Sequence, residues 1–160
     1  MFQINVSDGG VPKRAVAEAR LSKDGVEGDR QRNRSVHGGP DRAVCLYSLE
    51  QLNALRDEGH PIAPGSAGEN LTLSGLDWAH VKPGDRLSIG ESVELEVMSY
   101  TTPCRYNAGW FVNGDFHRIS EKRHPGWSRL YARVVREGRV RQGDPVRHAK
   151  GNPRQEARHS

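Results

Sequence analysis

From Val93 to Met98 the chain alternates with period two. Val93, Leu95 and Val97 are aliphatic, and Glu94, Glu96 and Met98 lie between them. Successive side chains of a strand point to opposite faces, so this spacing predicts a β-strand with one buried face. Gly90 precedes the strand, and Pro103, which has no N–H to give to a ladder, marks its end near Thr101-Thr102-Pro103-Cys104. Arg86-Leu87-Ser88-Ile89 reads as a short strand after the turn Lys82-Pro83-Gly84-Asp85.

The same grammar recurs elsewhere. Phe2, Ile4 and Val6 alternate up to the turn Ser7-Asp8-Gly9-Gly10, and Ala15, Ala17, Ala19 and Leu21 suggest a second strand. Ala43-Val44-Cys45-Leu46-Tyr47 is apolar throughout, as expected of a strand buried on both faces. Leu130, Ala132 and Val134 alternate up to a turn at Glu137-Gly138. Val140-Arg141-Gln142-Gly143-Asp144-Pro145-Val146 echoes Val81-Lys82-Pro83-Gly84-Asp85-Arg86-Leu87, too briefly for an internal repeat.

One helix is expected from Ser48. Ser48 and Gln51 fit a capping box, Leu49, Leu52 and Leu55 form an apolar stripe, and Gly59 with Pro61 stops it. A second, shorter helix is expected around Phe116 to Lys122. Many short strands, Gly-Asp turns and one or two short helices predict a mainly β, barrel-like single domain over residues 1–146. Residues 147–160 have Ala149 and Ala157 as their only hydrophobic side chains, and read as a solvated or disordered polar tail.

Composition limits the class. The 160 residues suit one domain with a real core, and no window approaches the run of ~18 apolar residues of a membrane span. Mean hydropathy is −0.77, yet the apolar residues are clustered rather than diluted, which argues against disorder. The start Met1-Phe2-Gln3-Ile4-Asn5-Val6 has neither the basic start nor the apolar block of a secretory signal, so a cytoplasmic protein is expected. Cys45 and Cys104 have no zinc spacing, and in such a chain they suggest reduced thiols. The net charge of +4 favours an anionic partner without naming it.

Chemistry concentrates in three places. Cys45, inside an apolar run, reads as a small buried hydrophobe. Cys104 follows a strand end and has Arg105 beside it; a thiolate there can bind a soft metal or take up sulfur as a persulfide, and it can equally be a loop cysteine of no consequence. The Gly- and Arg-rich stretch from Gly25 to Arg42 can bring backbone N–H groups and guanidinium groups to a phosphate, or can be an ordinary solvated loop. It has neither a P-loop Lys-Ser/Thr pair nor a G-x-G-x-x-G pattern. Glu69 and Asn70 can serve acid–base work or a heterocycle's edge, or can simply satisfy backbone groups. Trp110, Trp127 and Tyr131 can stack on a ring or belong to the core.

In order, Gly25-Val26-Glu27-Gly28-Asp29-Arg30, His37-Gly38-Gly39-Pro40-Asp41-Arg42-Ala43-Val44, Gly65 with Gly68-Glu69-Asn70-Leu71, Gly84-Asp85-Arg86-Leu87, Pro103-Cys104, Ala132-Arg133-Val134, Gly138 and Gly143-Asp144 resemble the MOSC domain family, named for the C-terminal part of molybdenum cofactor sulfurases. The resemblance implies a β-barrel-like fold. It also implies that Cys104 is the family's hallmark cysteine, either a ligand of the metal in the molybdenum cofactor (molybdopterin) or a carrier of sulfur. By motif match it assigns Arg30, His37, Gly38, Gly39, Arg42, Glu69, Asn70 and Arg105 to cofactor binding. No pyridoxal-phosphate domain precedes the motifs, so sulfur would come from a sulfur-donating protein. An alternative implied by relatives of this kind is molybdenum-dependent reduction of N-hydroxylated small molecules, with electrons from a separate electron-donor protein. A basic β module binding nucleic acid without catalysis ranks below both.

Overall fold

A computed structural model describes residues 1–30 and 39–151. Among these residues eleven strands form two sheets. In chain order the strands are β1 (Gln3–Val6), β2 (Arg14–Val16), β3 (Glu18–Ser22), β4 (Gly25–Val26), β5 (Val44–Ser48), β6 (Leu71–Leu73), β7 (Arg86–Ile89), β8 (Val93–Tyr100), β9 (Leu130–Arg136), β10 (Gly138–Arg141) and β11 (Val146–Ala149). The larger sheet has the order β11-β7-β8-β9-β5-β6-β1-β2, and the smaller has β10-β3-β4. All neighbours are antiparallel except β5 and β6.

The domain is mainly β, as expected, but the barrel does not close. The larger sheet ends on β11 and β2, and the chain leaves it twice, at Ala17 and at Glu137, to build the β3–β10 pair of the smaller sheet. Gly138 permits the second crossing: a Cβ there would lie 2.8 Å from Cβ of Ser92.

The α-helix of the described residues, α1 (Leu49–Asp57), starts where Ser48 Oγ accepts the Gln51 N–H at 3.2 Å. The expected capping box is only half formed, because the Gln51 amide donates to Gly126 O at 2.9 Å instead of reaching back. Leu52 and Leu55 are fully buried, and the helix ends on Gly59 (φ 100), with Gly59 N–H on Arg56 O and His60 N–H on Leu55 O. The second expected helix is a 3-10 turn, Phe116–Ile119, one of three between Arg105 and Ile119. The turn ends at Ser120, whose backbone is extended (φ −81, ψ 126) rather than helical.

β11 corrects the expected boundary at residue 147: Arg147, His148 and Ala149 pair with Ser88, Leu87 and Arg86. His148 Nε2 lies 2.7 Å from the fully buried Asp85 carboxylate, so this polar stretch is tied to the sheet by a side chain rather than by apolar burial. Residues 152–160 lie outside the described part. The two echoing turns are one structure used twice: Lys82 N–H donates to Asp85 Oδ2, and Arg141 N–H to Asp144 Oδ2.

The core lies on one face of the larger sheet. Ile4, Leu46, Leu71, Leu95, Val97, Leu130 and Ala132 meet there, each essentially without exposure. β8 carries an irregularity between Val97 and Ser99, which pair with the consecutive residues Ala132 and Tyr131. Met98 is therefore an extra residue in the ladder, a β-bulge.

Candidate functional site

Register builds a polar layer on the opposite face. Cys45 pairs with Tyr131, and Tyr131 with Ser99; Asn70 N–H donates to Cys45 O, and Asn5 N–H to Asn70 O. Ser99, Tyr131, Cys45, Asn70 and Asn5 therefore form one row across five strands or strand ends. One step along lies a second row, in which Thr101 N–H meets Arg129 O and Tyr47 pairs with Thr72. The parallel β5–β6 pair needs a long crossover, and its last residues, Gly65 to Asn70, lie over this layer.

Asn70 is fully used as a brace. Its Oδ1 accepts the Cys45 N–H at 2.9 Å, and its Nδ2 donates to Asp29 Oδ2 at 2.9 Å and to Asn5 O at 3.4 Å. Asp29 Oδ1 also takes the Lys13 ammonium at 2.7 Å and the Ser7 N–H at 2.9 Å. The Gly28-Asp29-Arg30 motif is thus anchored through its acid, while Arg30 is exposed and its N–H donates to Ser7 O.

Glu69 is completely buried. Its Oε2 accepts the Thr72 hydroxyl at 3.0 Å, and Oε1 has no hydrogen-bond partner. Burial pushes its carboxyl above the usual carboxylate range, against the Gly65 and Glu69 amides, Thr72 and Arg129, which pull it down. Arg129 is buried as well. Nη1 donates to Ala67 O at 2.7 Å and Nη2 to Thr102 O at 3.3 Å, which ties the two site loops together, and Nε has no partner. Asn107 Nδ2 shares Ala67 O at 3.2 Å, leaving its Oδ1 without a donor, and Thr101 Oγ1 is unpartnered too. Four of the five unpartnered buried polar side-chain atoms among the described residues therefore sit in this one region. Buried polar groups are ordinarily paired, so these four atoms are open hydrogen-bonding positions for water or a ligand.

Cys104 stands half-buried at its edge, directly after Pro103, with its carbonyl accepting the Asn107 N–H. Tyr131 links the thiols. Burial first, then Cys45 and Cys104, push its hydroxyl up, while Arg129 and Arg42 pull it down. Cys45 is buried, with its thiol likewise pushed up by burial, so it is the less reactive thiol.

The expected site residues divide accordingly. Arg42 has its guanidinium 5.6 Å from the Tyr131 ring centroid, which brings it to the Cys104 region. Glu69 and Asn70 lie beneath. Arg105, although next to Cys104 in sequence, is exposed and 5.7 Å over the Tyr106 ring. Gly39 is exposed (φ 96), with open space where a side chain would be. His37 and Gly38 lie outside the described residues. Lys13, Asp29, Thr101, Asn107, Arg129 and the hydroxyl of Tyr131 belong to the site without having been singled out as such. Their local signals are Asp29, inside the Gly28-Asp29-Arg30 motif, the aromatic ring of Tyr131, and Arg129, a charge placed directly before an alternating apolar strand.

The residues present fit a cofactor of the expected kind. A soft thiol, buried and surface guanidinium groups, an orphan acceptor on Asn107 and an orphan donor on Arg129 suit an anionic heterocycle carrying a thiophilic metal. Among the described residues no group of three or more His, Cys, Asp or Glu can hold a metal ion, so a metal at Cys104 would bring most of its own ligands. No helix among the described residues is long and apolar enough to cross a membrane.

An open, mainly antiparallel sheet with a Pro-Cys at a strand end above a polar layer is one class of small thiol-bearing β domain. The chain belongs to the MOSC domain family, whose model matches residues 33–147. It is 35% identical over 136 residues to the YflK protein of Bacillus subtilis, and 31% identical over 134 residues to the YiiM protein of Escherichia coli. These alignments take in 84% and 81% of this chain and 60% and 58% of the relatives, so the chain spans about three fifths of their length. The structure of YiiM from Geobacillus stearothermophilus superposes with a TM-score of 0.68 at 27% identity, covering 92% of this chain and 73% of that one. YiiM from Escherichia coli gives 0.66 at 27%, with 94% and 70% covered.

Proposed function

We propose that this MOSC protein binds the molybdenum cofactor, with Cys104 as a ligand of its metal. The observation that carries this is the gathering of Glu69 Oε1, Thr101 Oγ1, Asn107 Oδ1 and Arg129 Nε, all buried and unpartnered, beside a half-buried thiol. Bound there, the cofactor would supply oxygen-atom and electron-transfer chemistry at a metal already held by dithiolene sulfur. The chain's own part is to bind and orient. Arg129 and Arg42 offer positive charge to the cofactor's phosphate, Arg129 Nε and Asn107 Oδ1 offer one donor and one acceptor to its ring, and Cys104 stands beyond the end of β8 at the start of the 3-10 turn Arg105–Trp110. A small-molecule substrate such as an N-hydroxylated compound, and an electron-donor protein, complete the proposal as an oxidoreductase. The half-exposure of Cys104 favours one second reading, in which the thiolate carries a persulfide taken from a sulfur-donating protein.

The test is elemental analysis for molybdenum after anaerobic co-expression with a cofactor-producing pathway, for the parent protein and Cys104→Ala. Near-stoichiometric metal in the parent and its loss in the variant is the expected result. Metal in neither overturns the cofactor reading, and a persulfide assay on Cys104 then decides the second.

A further inference from the structure

We propose that Glu69 is held as a neutral carboxylic acid and is the proton donor of the Cys104 site. This goes beyond the cofactor reading by giving the site an acid, and it rests on that reading only for what the proton is delivered to.

The geometry carries the assignment. Glu69 has no exposure and forms no ion pair among the described residues. The Asn5 Nδ2 group donates to Thr72 Oγ1 at 3.0 Å, so the single hydroxyl proton of Thr72 is free to be given to Glu69 Oε2. Oε2 is therefore the acceptor oxygen, and a proton on the carboxyl belongs on Oε1, the unpartnered atom. The Thr72 hydroxyl and the Gly65 and Glu69 amides support the carboxylate, but no cation pairs with it among the described residues, and full burial outweighs them, so the group neutralises instead. The charged and titratable groups around the pocket are Arg129 at the start of β9, Cys45 and Tyr47 on β5, and Lys13 before β2. Lys13 is already paired with Asp29, and the Arg129 N–H groups go to Ala67 O and Thr102 O rather than to Glu69.

Arg129 gives this arrangement a direction. With Glu69 neutral, the guanidinium is a buried cation that pairs with no carboxylate among the described residues. When Oε1–H releases its proton to a basic oxygen or nitrogen of a bound ligand, the O–H bond of Glu69 breaks and the new bond forms on the ligand. The carboxylate left behind then shares the pocket with that cation, and no electron changes hands. A lysine or arginine in direct contact would have held the acid ionised beforehand and left nothing to donate.

The test needs no cofactor. Infrared spectra of the purified protein at neutral pH, in parent and Glu69→Gln, should show a protonated-carboxyl C=O band in the parent that the variant lacks. Glu69→Gln preserves shape and a donor, so its urea midpoint should match the parent at acid pH. It should exceed the parent as pH rises beyond the ordinary glutamate range, because a raised native pKa makes ionisation cost the parent stability there. If the variant does not fold, carbon-13 carboxyl shifts of glutamate-labelled parent serve instead, with one glutamate staying protonated after the others have titrated. An ordinary titration for every glutamate, or no band that Glu69→Gln removes, overturns the proposal. Molybdenum content is read separately, so failure here leaves the Cys104 result standing, and the converse holds.

Discussion

Asp29→Asn removes one charge from the brace beneath the site and keeps its shape. Lys13 Nζ is 2.7 Å from Asp29 Oδ1, with the two side chains only 8% and 6% exposed. An exposed pair contributes less than ~1 kcal/mol, whereas unpairing a buried charge costs about 3–5 kcal/mol. Asp29 also accepts from the Ser7 N–H and the Asn70 Nδ2 group, and an amide has a single oxygen for these donors. One of its own hydrogens must then face a donor, and the Lys13 ammonium keeps only Ser7 Oγ at 3.5 Å. The expected loss is therefore toward the upper end, about 4 kcal/mol, read as a shift of the urea midpoint at neutral pH with an unchanged slope. Lys13→Met costs less, because Asp29 keeps its other two donors. The double variant should fall short of the sum by at least ~1 kcal/mol, as coupled neighbours do. A loss below ~1 kcal/mol for Asp29→Asn, with additive singles, would place the pair among solvated surface contacts and refute the brace.

Gly65→Ala should destabilise more than Gly75→Ala in thermal unfolding. Both positions have positive φ (85° and 81°), but a Cβ at Gly65 would meet Lys13 O at 2.6 Å and at Gly75 meets nothing. Strain alone costs about 1–2 kcal/mol, so the difference between the variants measures the close approach under the site loop. Glu58 is held below the usual carboxylate range by hydrogen bonding to Arg118, at 2.8 and 3.0 Å. A depressed native pKa means stability present above the unfolded value and lost as pH falls through the native one. Glu58→Gln should therefore flatten the acid limb of a urea-midpoint profile, modestly, because the carboxylate is largely exposed.

The strands were legible because alternation is local. Leu95 and Val97 declare their face without help from distant residues, and Ser48 announces a helix start from its own neighbourhood. Gln51 misled because its amide has a better use, Gly126 O, seventy-five residues away. Arg147 to Ala149 looked like a tail because nothing apolar holds them; pairing with β7 and a histidine–carboxylate contact do. The candidate site was half legible. Pro103 points to Cys104 and the Gly- and Arg-rich loop to Arg42 from the sequence alone, but Arg129, Asn107 and Thr101 acquire meaning only once register sets them beside Ala67 and Thr102. Arg105 shows the limit of adjacency, since it follows the thiol along the chain while its exposed side chain lies over Tyr106.

The bulge at Met98 gives β8 an uneven tolerance for changes in length. It absorbs one surplus residue between the part of the strand that lines the core and the part that reaches Thr101 and Cys104. Removing one residue there makes the ladder regular and leaves a residue opposite Tyr131, so every later side chain keeps its face, whereas a further inserted residue that shifts the pairing turns them to the other face. A one-residue deletion at the bulge is thus absorbed, while an insertion that shifts the pairing is a change of function before it is a change of fold, since the apolar half can stay in place while the thiol is re-aimed.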